Sequence, residues 1–253
     1  MQRYFIIEND INDDQTVTIS NEDAHHIINV MRMQSGDEVI LSFPSDESFI
    51  AMISEIQDGS VTFEMKEKMM EEKALPVSVT IAQGLPKGSK LELIVQKGTE
   101  LGADKFEIIQ MDRSVAKWDQ KATNKKLPRY EKIIKEASEQ SHRTSIPKID
   151  GIRTLDAMLQ DASIYDHILF AYEEEAKTEE YHSFYEALKH IKKADRVLLF
   201  IGPEGGFSKR EVEQLKSYGA HAVRLGKRIL RTETASLYAL SALSFYFEEL
   251  EAQ

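Results

Sequence analysis

Arg196-Val-Leu-Leu-Phe-Ile-Gly-Pro-Glu-Gly-Gly-Phe-Ser208 is the stretch on which the reading of this chain turns. Val197 to Ile201 is a short continuous apolar run, the pattern of a strand buried on both faces of a parallel sheet. Gly202 lets the backbone turn at the strand's C-terminal end, the edge where open α/β sheets bind ligands. Gly205 and Gly206 leave room for a flat group to lie against the main chain, and Ser208 with Glu211 reads as a capping box opening the next helix. The Gly-x-x-Gly-Gly spacing is neither the Gly-x-Gly-x-x-Gly dinucleotide fingerprint nor a P-loop, which ends in Gly-Lys-Ser/Thr. By itself the stretch also fits a tight strand-to-helix turn that holds no ligand.

Working outward, Ala222 to Leu225 reads as a second short strand broken by Gly226. The loop that follows carries Lys227, Arg228 and Arg231, and Thr232 is placed to cap a long C-terminal helix. Two strand ends with adjacent loops make one pocket. Strand-like runs at 77–83, 105–111, 167–172, 196–201 and 222–225 alternate with helical segments, which predicts a parallel sheet covered on both faces. In the helix expected over 90–101, Leu91, Ile94, Val95 and Leu101 share one stripe.

Residues 1–72 have a different character and read as a small β-rich domain. A strand is expected near 4–7, a short helix from Ser20-Asn-Glu-Asp23, and strands at 38–43, 48–56 and 60–65, separated by Pro44 and Asp58-Gly59. The charged stretch 66–73 and Pro76 read as a linker, which puts the second domain at 73–253.

Composition narrows the function classes. With 253 residues, 42% hydrophobic and 30% charged, the chain is sized for two modest soluble domains. No apolar run approaches the ~18 residues of a membrane span, and the N-terminus lacks a signal-peptide pattern, so a cytoplasmic protein is expected. The absence of cysteine excludes disulfides, thiolate zinc sites and cysteine nucleophiles. Seven histidines show no metal spacing, so no metal is expected, and without a Gly-x-Ser-x-Gly elbow a hydrolase has no support.

A net charge of −11 argues against a nucleic-acid partner until its distribution is read. Residues 113–153 hold eleven Lys or Arg against five acids, a net of +6 that leaves −17 for the rest of the chain. Such a segment is commonly a solvated helix face, but Trp118, the only tryptophan, sits inside it, placed to stack on a base. The last helix, 234–250, is apolar all round, which predicts burial between the sheet and a second subunit, hence a homodimer through the C-terminal helix region.

Ile201-Gly-Pro-Glu-Gly-Gly206 and Leu225-Gly-x-x-Ile-Leu-Arg-x-Glu-Thr-Ala235 resemble the signatures of the RsmE family of SPOUT RNA methyltransferases. So do Gln83-Gly-Leu-Pro-Lys87, Lys97-Gly-Thr-Glu-Leu-Gly102, Glu139-Gln-Ser-x-Arg143, Arg3-Tyr-Phe5 and His25-His-x-x-x-Val30-x-Arg32, so nearly the whole chain is covered. The resemblance implies an α/β fold: a C-terminal SPOUT-type parallel sheet with a deep trefoil knot, preceded by a small PUA-like β-barrel that binds RNA. It implies an S-adenosylmethionine cleft built from the loops after Phe170-Ala-Tyr172, after Ile201, and over 225–235. The cofactor contacts would come from Ala171, Ile201, Gly202, Pro203, Glu204, Gly205, Gly206, Leu225, Gly226, Ile229, Leu230, Thr234 and Ala235.

The activity so implied is methylation of N3 of a uridine near the 3′ end of 16S rRNA, in the small ribosomal subunit or free. Arg228 and Arg231 are expected to stabilise charge on the uracil oxygens. Glu233 joins them as a catalytic candidate, although for both Glu204 and Glu233 holding an arginine is preferred to taking the proton. Arg3, Arg32, Lys87, Arg113, Trp118 and Arg143 are the expected RNA contacts. Two other readings stay open: a SPOUT 2′-O-ribose methyltransferase acting on tRNA or rRNA, and a non-catalytic RNA-binding ribosome assembly factor.

Overall fold

The computed structural model describes residues 1–7, 12, 16–45, 47–70, 73–172 and 183–250. They group into two units, Met1–Lys73 with Ser138–Ile146, and Ala74–Ala137 with Pro147–Gln253.

In the first unit, β1 (Arg3–Phe5), β2 (Val17–Ile19), helix α1 (Glu22–His25, extended by a π-type turn over His26–Val30), β3 (Glu38–Ser42), β4 (Ser48–Gln57) and β5 (Ser60–Met69) form a curled sheet in the order β1-β3-β4-β5-β2. Asp58 and Gly59, at φ +50° and +80°, make the tight turn between β4 and β5, as the Asp-Gly pair predicts. Register shifts at Ile50/Ala51 and Ile53/Glu55 bulge the hairpin, and bulges bend the strand that carries them. Tyr4, Val17, Leu41, Ile53 and Phe63 fill the concave side, with Ala24 and Ile27 closing it.

The charged stretch expected as a linker is largely strand instead. β5 pairs as far as Met69 with Ser48, and its outer residues are charged because that part of the ribbon faces water, with Lys68 paired to Glu47. A contiguous boundary at residue 72 also misses residues 138–146. There His142 takes φ +56°, the Arg143 N–H bonds to the Ser138 carbonyl and the His142 N–H to Glu139, a Schellman ending with a non-glycine residue in the left-handed position. Arg3 reaches this segment: its Nη1 donates to Ser42 Oγ, Ser48 Oγ and the Arg143 carbonyl at 2.9, 3.0 and 3.1 Å.

The second unit runs β6 (Ser78–Gly84), α2 (Lys90–Glu100), β7 (Lys105–Gln110), α3 (Gln120–Gln140, whose last residues belong to the first unit), β8 (Lys148–Thr154), α4 (Leu155–Gln160), β9 (His167–Ala171), α5 (Phe184–Leu188), β10 (Arg196–Ile201), α6 (Lys209–Ser217), β11 (His221–Val223) and α7 (Thr232–Ser244). All six strands are parallel, in the order β11-β9-β10-β6-β7-β8. The centre is buried on both faces. Val197, Leu199 and Ile201 of β10 meet Ile94 of α2 and Leu240 of α7, whereas Leu198 and Phe200 meet Met158 of α4 and Leu215 of α6.

Thr232, Ala235, Ser236, Ala239, Leu240 and Leu243 make a single buried stripe on α7, continued by Phe247. The helix is therefore not buried all round. Leu243 is fully buried within this unit, while Tyr238 and Phe245 face outward. After β6 the chain proceeds to β7, and after β10 it proceeds past β9 to β11, so the loops leaving β6 and β10 diverge from adjacent strand ends. That divergence is the topological switch point where open α/β sheets form their crevice.

Candidate active site

At the end of β10 the glycines serve the turn itself. A Cβ on Gly202 would stand 3.2 Å from the Gly206 Cα, and Gly206 sits at φ +65° with its N–H on the Pro203 carbonyl at 2.8 Å. A Cβ on Gly205 would meet the Arg113 Cβ at 2.9 Å, so this glycine admits another segment of the protein rather than a flat ligand. Arg113 Nη1 then donates to the Gly205 carbonyl at 3.0 Å. Beyond the turn, Ser208 and Glu211 form the expected capping box at the start of α6. Glu211 also accepts the Asp112 N–H at 2.8 Å, and Asp112 binds Arg210 and Ser208. The loop after β7 is thereby locked to the glycine turn.

A cavity of about 580 Å³ opens at this edge, within the size range of small-molecule sites. Its wall combines Ala171, Tyr172, Ile201, Pro203, Phe207, Leu230 and Ala235 with main chain from Gly202, Gly205 and Gly206 and the polar residues Lys87, Lys90, Arg113, Glu204, Arg231 and Thr232. An adjoining depression of about 140 Å³ adds Leu225, Gly226, Lys227 and Arg228 and shares Ile229, Leu230, Ala171 and Ala235. The expected cofactor contacts thus converge on one cleft, except Thr234, which is exposed on α7 and lines neither space.

Lys90, the polar first residue of α2, carries no signal in the sequence that ties it to this site. It lies 2.8 Å from Glu204 and 3.6 Å from Glu233. The carboxylates expected to hold an arginine hold this lysine. Burial works against the Glu204 charge, but hydrogen bonds from Lys90 and from the Lys87 and Glu204 N–H groups, with the Lys90 charge, prevail and hold its carboxyl below the usual range. Arg228 and Arg231 are exposed and form no ion pair among the described residues.

Thr232 does not cap α7 with its side chain. Its Oγ1 donates to the Gly202 carbonyl at 2.7 Å and accepts from Gln83 Nε2 at 2.8 Å, while Ser236 Oγ donates to Gln83 Oε1 at 2.7 Å. This polar cluster lies behind the cleft.

The expected RNA contacts do not converge. Lys87 and Arg113 line the cavity, and Arg32 is exposed at φ +54° in the first unit. Arg3 and Arg143 are 1% and 5% exposed, and Arg3 Nη1 is engaged with Ser42, Ser48 and the Arg143 carbonyl, so both arginines are buried away from a phosphate. Trp118 is half-buried, stacked on Tyr130 with ring centroids 5.9 Å apart and with the Lys126 ammonium 5.3 Å from its ring, so its faces already have neighbours. The loop after Tyr172, expected as a cleft wall, and Glu173-Glu-Glu175, whose charge predicts a solvated edge, lie outside the described residues. Among the described residues no cluster of three His, Asp or Glu is placed to hold a metal ion, and no helix is long and apolar enough to cross a membrane.

Residues 71–244 match an RNA methyltransferase domain family and residues 19–66 an RNA methyltransferase PUA domain. The chain is 43% identical to ribosomal RNA small subunit methyltransferase E of Bacillus subtilis, across 99% of this chain and 98% of that one. It is 32% identical to the protein of that name from Synechocystis, across 92% and 74%. The crystal structure of a ribosomal RNA small subunit methyltransferase E from Neisseria gonorrhoeae, bound to S-adenosyl methionine, superposes with a TM-score of 0.83 at 25% identity over 98% of each chain.

Proposed function

Since the chain belongs to the ribosomal RNA small subunit methyltransferase E family, we propose that it methylates N3 of a uridine near the 3′ end of 16S rRNA with S-adenosylmethionine as donor. The observation that carries this reading is the convergence of the glycine turn and the arginine loop on one cleft, with Arg228 and Arg231 uncompensated at its wall. The cleft fits the cofactor: it is large enough, its apolar wall suits an adenine, and glycine main chain at 202, 205, 206 and 226 borders it. When bound there, S-adenosylmethionine supplies an electrophilic methyl group.

The protein's residues must then manage the uracil. Its N3–H is a weak acid; once that proton passes to solvent, negative charge spreads over O2 and O4, and the N3 lone pair would take the methyl group as its bond to the donor's sulfur breaks. Arg231 on the larger cavity and Arg228 on the adjoining depression provide cationic donors for those oxygens. Glu233 and Glu204 hold Lys90, and that pairing favours a structural role over proton removal for both. On this reading the protein works in the cytoplasm, on free RNA or the assembled subunit, as a homodimer built from a PUA-like domain over 1–72, joined by residues 138–146, and a knotted SPOUT domain over the rest of 73–253.

The test is methyl transfer from labelled S-adenosylmethionine to unmodified small subunits, naked small-subunit rRNA and tRNA, with the product nucleoside identified by mass spectrometry. 3-Methyluridine on the small subunit or its RNA is the expected product. A 2′-O-methyl nucleoside, or label on tRNA alone, would overturn the target.

A further inference from the structure

The basic segment rests on a local oddity of α3. From Gln120 to Tyr130 this helix carries Lys121, Lys125, Lys126 and Arg129 and no acid, and its first turn holds no acidic residue. A helix N-terminus bears a partial positive charge and favours carboxylates, so cations there work against the fold. Asp119, just before the helix, is already engaged as acceptor of the Ala122 N–H at 2.7 Å. The apolar face is ordinary: Tyr130 and Ile134 are buried against the sheet. The opposite face is what needs explaining.

Lys121, Lys125 and Arg129 recur every four residues and so lie along one exposed stripe, preceded by exposed Lys117. Arg129 is paired with Glu92 at 2.8 Å, but Lys117, Lys121 and Lys125 form no ion pair among the described residues. Lys126 stands over Trp118, fixed beside the same stripe. Arg113, which begins this run of cations, lines the cleft and is locked to the Gly205 carbonyl. Six residues separate it from α3, a reach of at most about 25 Å even if extended. In a chain of net charge −11, a row of uncompensated cations leading away from the cleft is placed to meet a polyanion.

We propose that the Lys117-Lys121-Lys125 face of α3 is an RNA-binding track that grips the phosphodiester backbone flanking the nucleotide held in the cleft. The track rests on the reading of the protein as an RNA methyltransferase, and it replaces Arg3, Arg143 and Trp118 as the RNA contact. It supplies affinity rather than sequence choice, since point charges on phosphates carry no base information.

The experiment compares wild type with a Lys117→Gln/Lys121→Gln/Lys125→Gln variant in binding to an unmodified 3′ fragment of small-subunit rRNA over a range of salt. The variant is expected to bind at least tenfold more weakly at low salt, with the slope of log K against log [salt] shallower by about 2, from about 0.7 per lost contact on single-stranded RNA. Its S-adenosylmethionine affinity, measured calorimetrically without RNA, should stay unchanged, and its Tm should hold or rise because cations have left a helix N-terminus. Unchanged RNA affinity and salt slope would overturn the track. So would unchanged RNA binding with loss of binding to phosphatidylserine vesicles, which would assign the stripe to a membrane surface. The binding assay does not depend on turnover, so a wild type that transfers no methyl would sink the enzymatic reading separately.

Discussion

The hydroxyl of Thr232 donates to the carbonyl of Gly202 at 2.7 Å, tying the first residue of α7 to the first residue of the glycine turn. The same hydroxyl accepts from Gln83 near the end of β6, so one buried side chain joins α7, the glycine turn and β6 behind the cleft. Thr232→Val removes the hydroxyl bonds to the Gly202 carbonyl and to one N–H of Gln83, whose Nε2 keeps its bond to the Gly84 carbonyl, a loss of about 1–3 kcal/mol in denaturant unfolding. Calorimetry should show roughly tenfold weaker S-adenosylmethionine binding, equivalent to about 1.4 kcal/mol, and Thr232→Ser should restore most of it. Wild-type affinity in the valine variant would show that the tie does not shape the cleft.

The glycines can be ranked. A Cβ on Gly84 would stand 2.7 Å from the Pro203 nitrogen, which is backbone and cannot swing aside, whereas Gly206 has open space but φ +65°. Gly84→Ala should cost about 1–3 kcal/mol as overpacking and also displace Pro203 from the cofactor wall. Gly206→Ala should cost about 1–2 kcal/mol through left-handed strain alone. Cofactor affinity falling more for the first than the second is the expected order, and the reverse would place the sensitive contact at Gly206.

How much of this was legible in the sequence depended on where each partner lay. The central strands announced themselves because burial on both faces demands continuous apolar runs, as in Val197 to Ile201. β8 did not: it lies at the sheet edge, and its Lys-Ile-Asp-Gly-Ile-Arg-Thr sequence is mostly polar. The Ser208 capping box was readable because its two residues are three apart. Arg3 was misread because an arginine is exposed by default, and its partners lie 39, 45 and 140 residues away. Lys90 escaped for the same reason, since Glu204 is 114 residues distant.

Asp112 gives the glycine turn a pH signature. Hydrogen bonds from Arg210 and then Ser208 hold its carboxyl below the ordinary value of 3.8. A depressed folded-state pKa stabilises the fold above the unfolded value, and that stabilisation fades as pH falls through the folded one. The stability gap between wild type and Asp112→Asn should therefore be flat from neutrality to about pH 5 and close below 3.8. Because the pair is largely exposed, the gap should be small. A gap that widened on acidification would reverse the assignment.

Arg231 separates charge stabilisation from binding. It lines the larger cavity, is exposed, and forms no ion pair among the described residues. If it serves the developing negative charge of the uracil, Arg231→Ala should lower kcat about 10²–10³-fold while leaving S-adenosylmethionine affinity within a few-fold of wild type. Full methyl-transfer rate in the variant would remove it from the chemistry. Lys90→Met should instead weaken cofactor binding and stability together, because it strands Glu204 and Glu233.

The proposed dimer is best tested on the outer face of α7 and of the π-type turn, Phe245–Leu250, that continues it. Leu243 belongs to the core of its own subunit, so Leu243→Glu would unfold the chain whatever its oligomeric state. Tyr238 and Phe245, 41% and 57% exposed, lie seven residues apart and thus on one stripe, with exposed Leu250 further along. Single exposed apolar residues are ordinary, but an aromatic pair aligned on one helix face is the pattern a subunit interface buries. Phe245→Glu should therefore convert dimers to monomers in sedimentation velocity while far-UV circular dichroism stays native, and methyl transfer should fall with the loss of the second subunit. A dimer that survives Phe245→Glu with full activity places the interface elsewhere, and a wild type that sediments as a monomer at every concentration removes it.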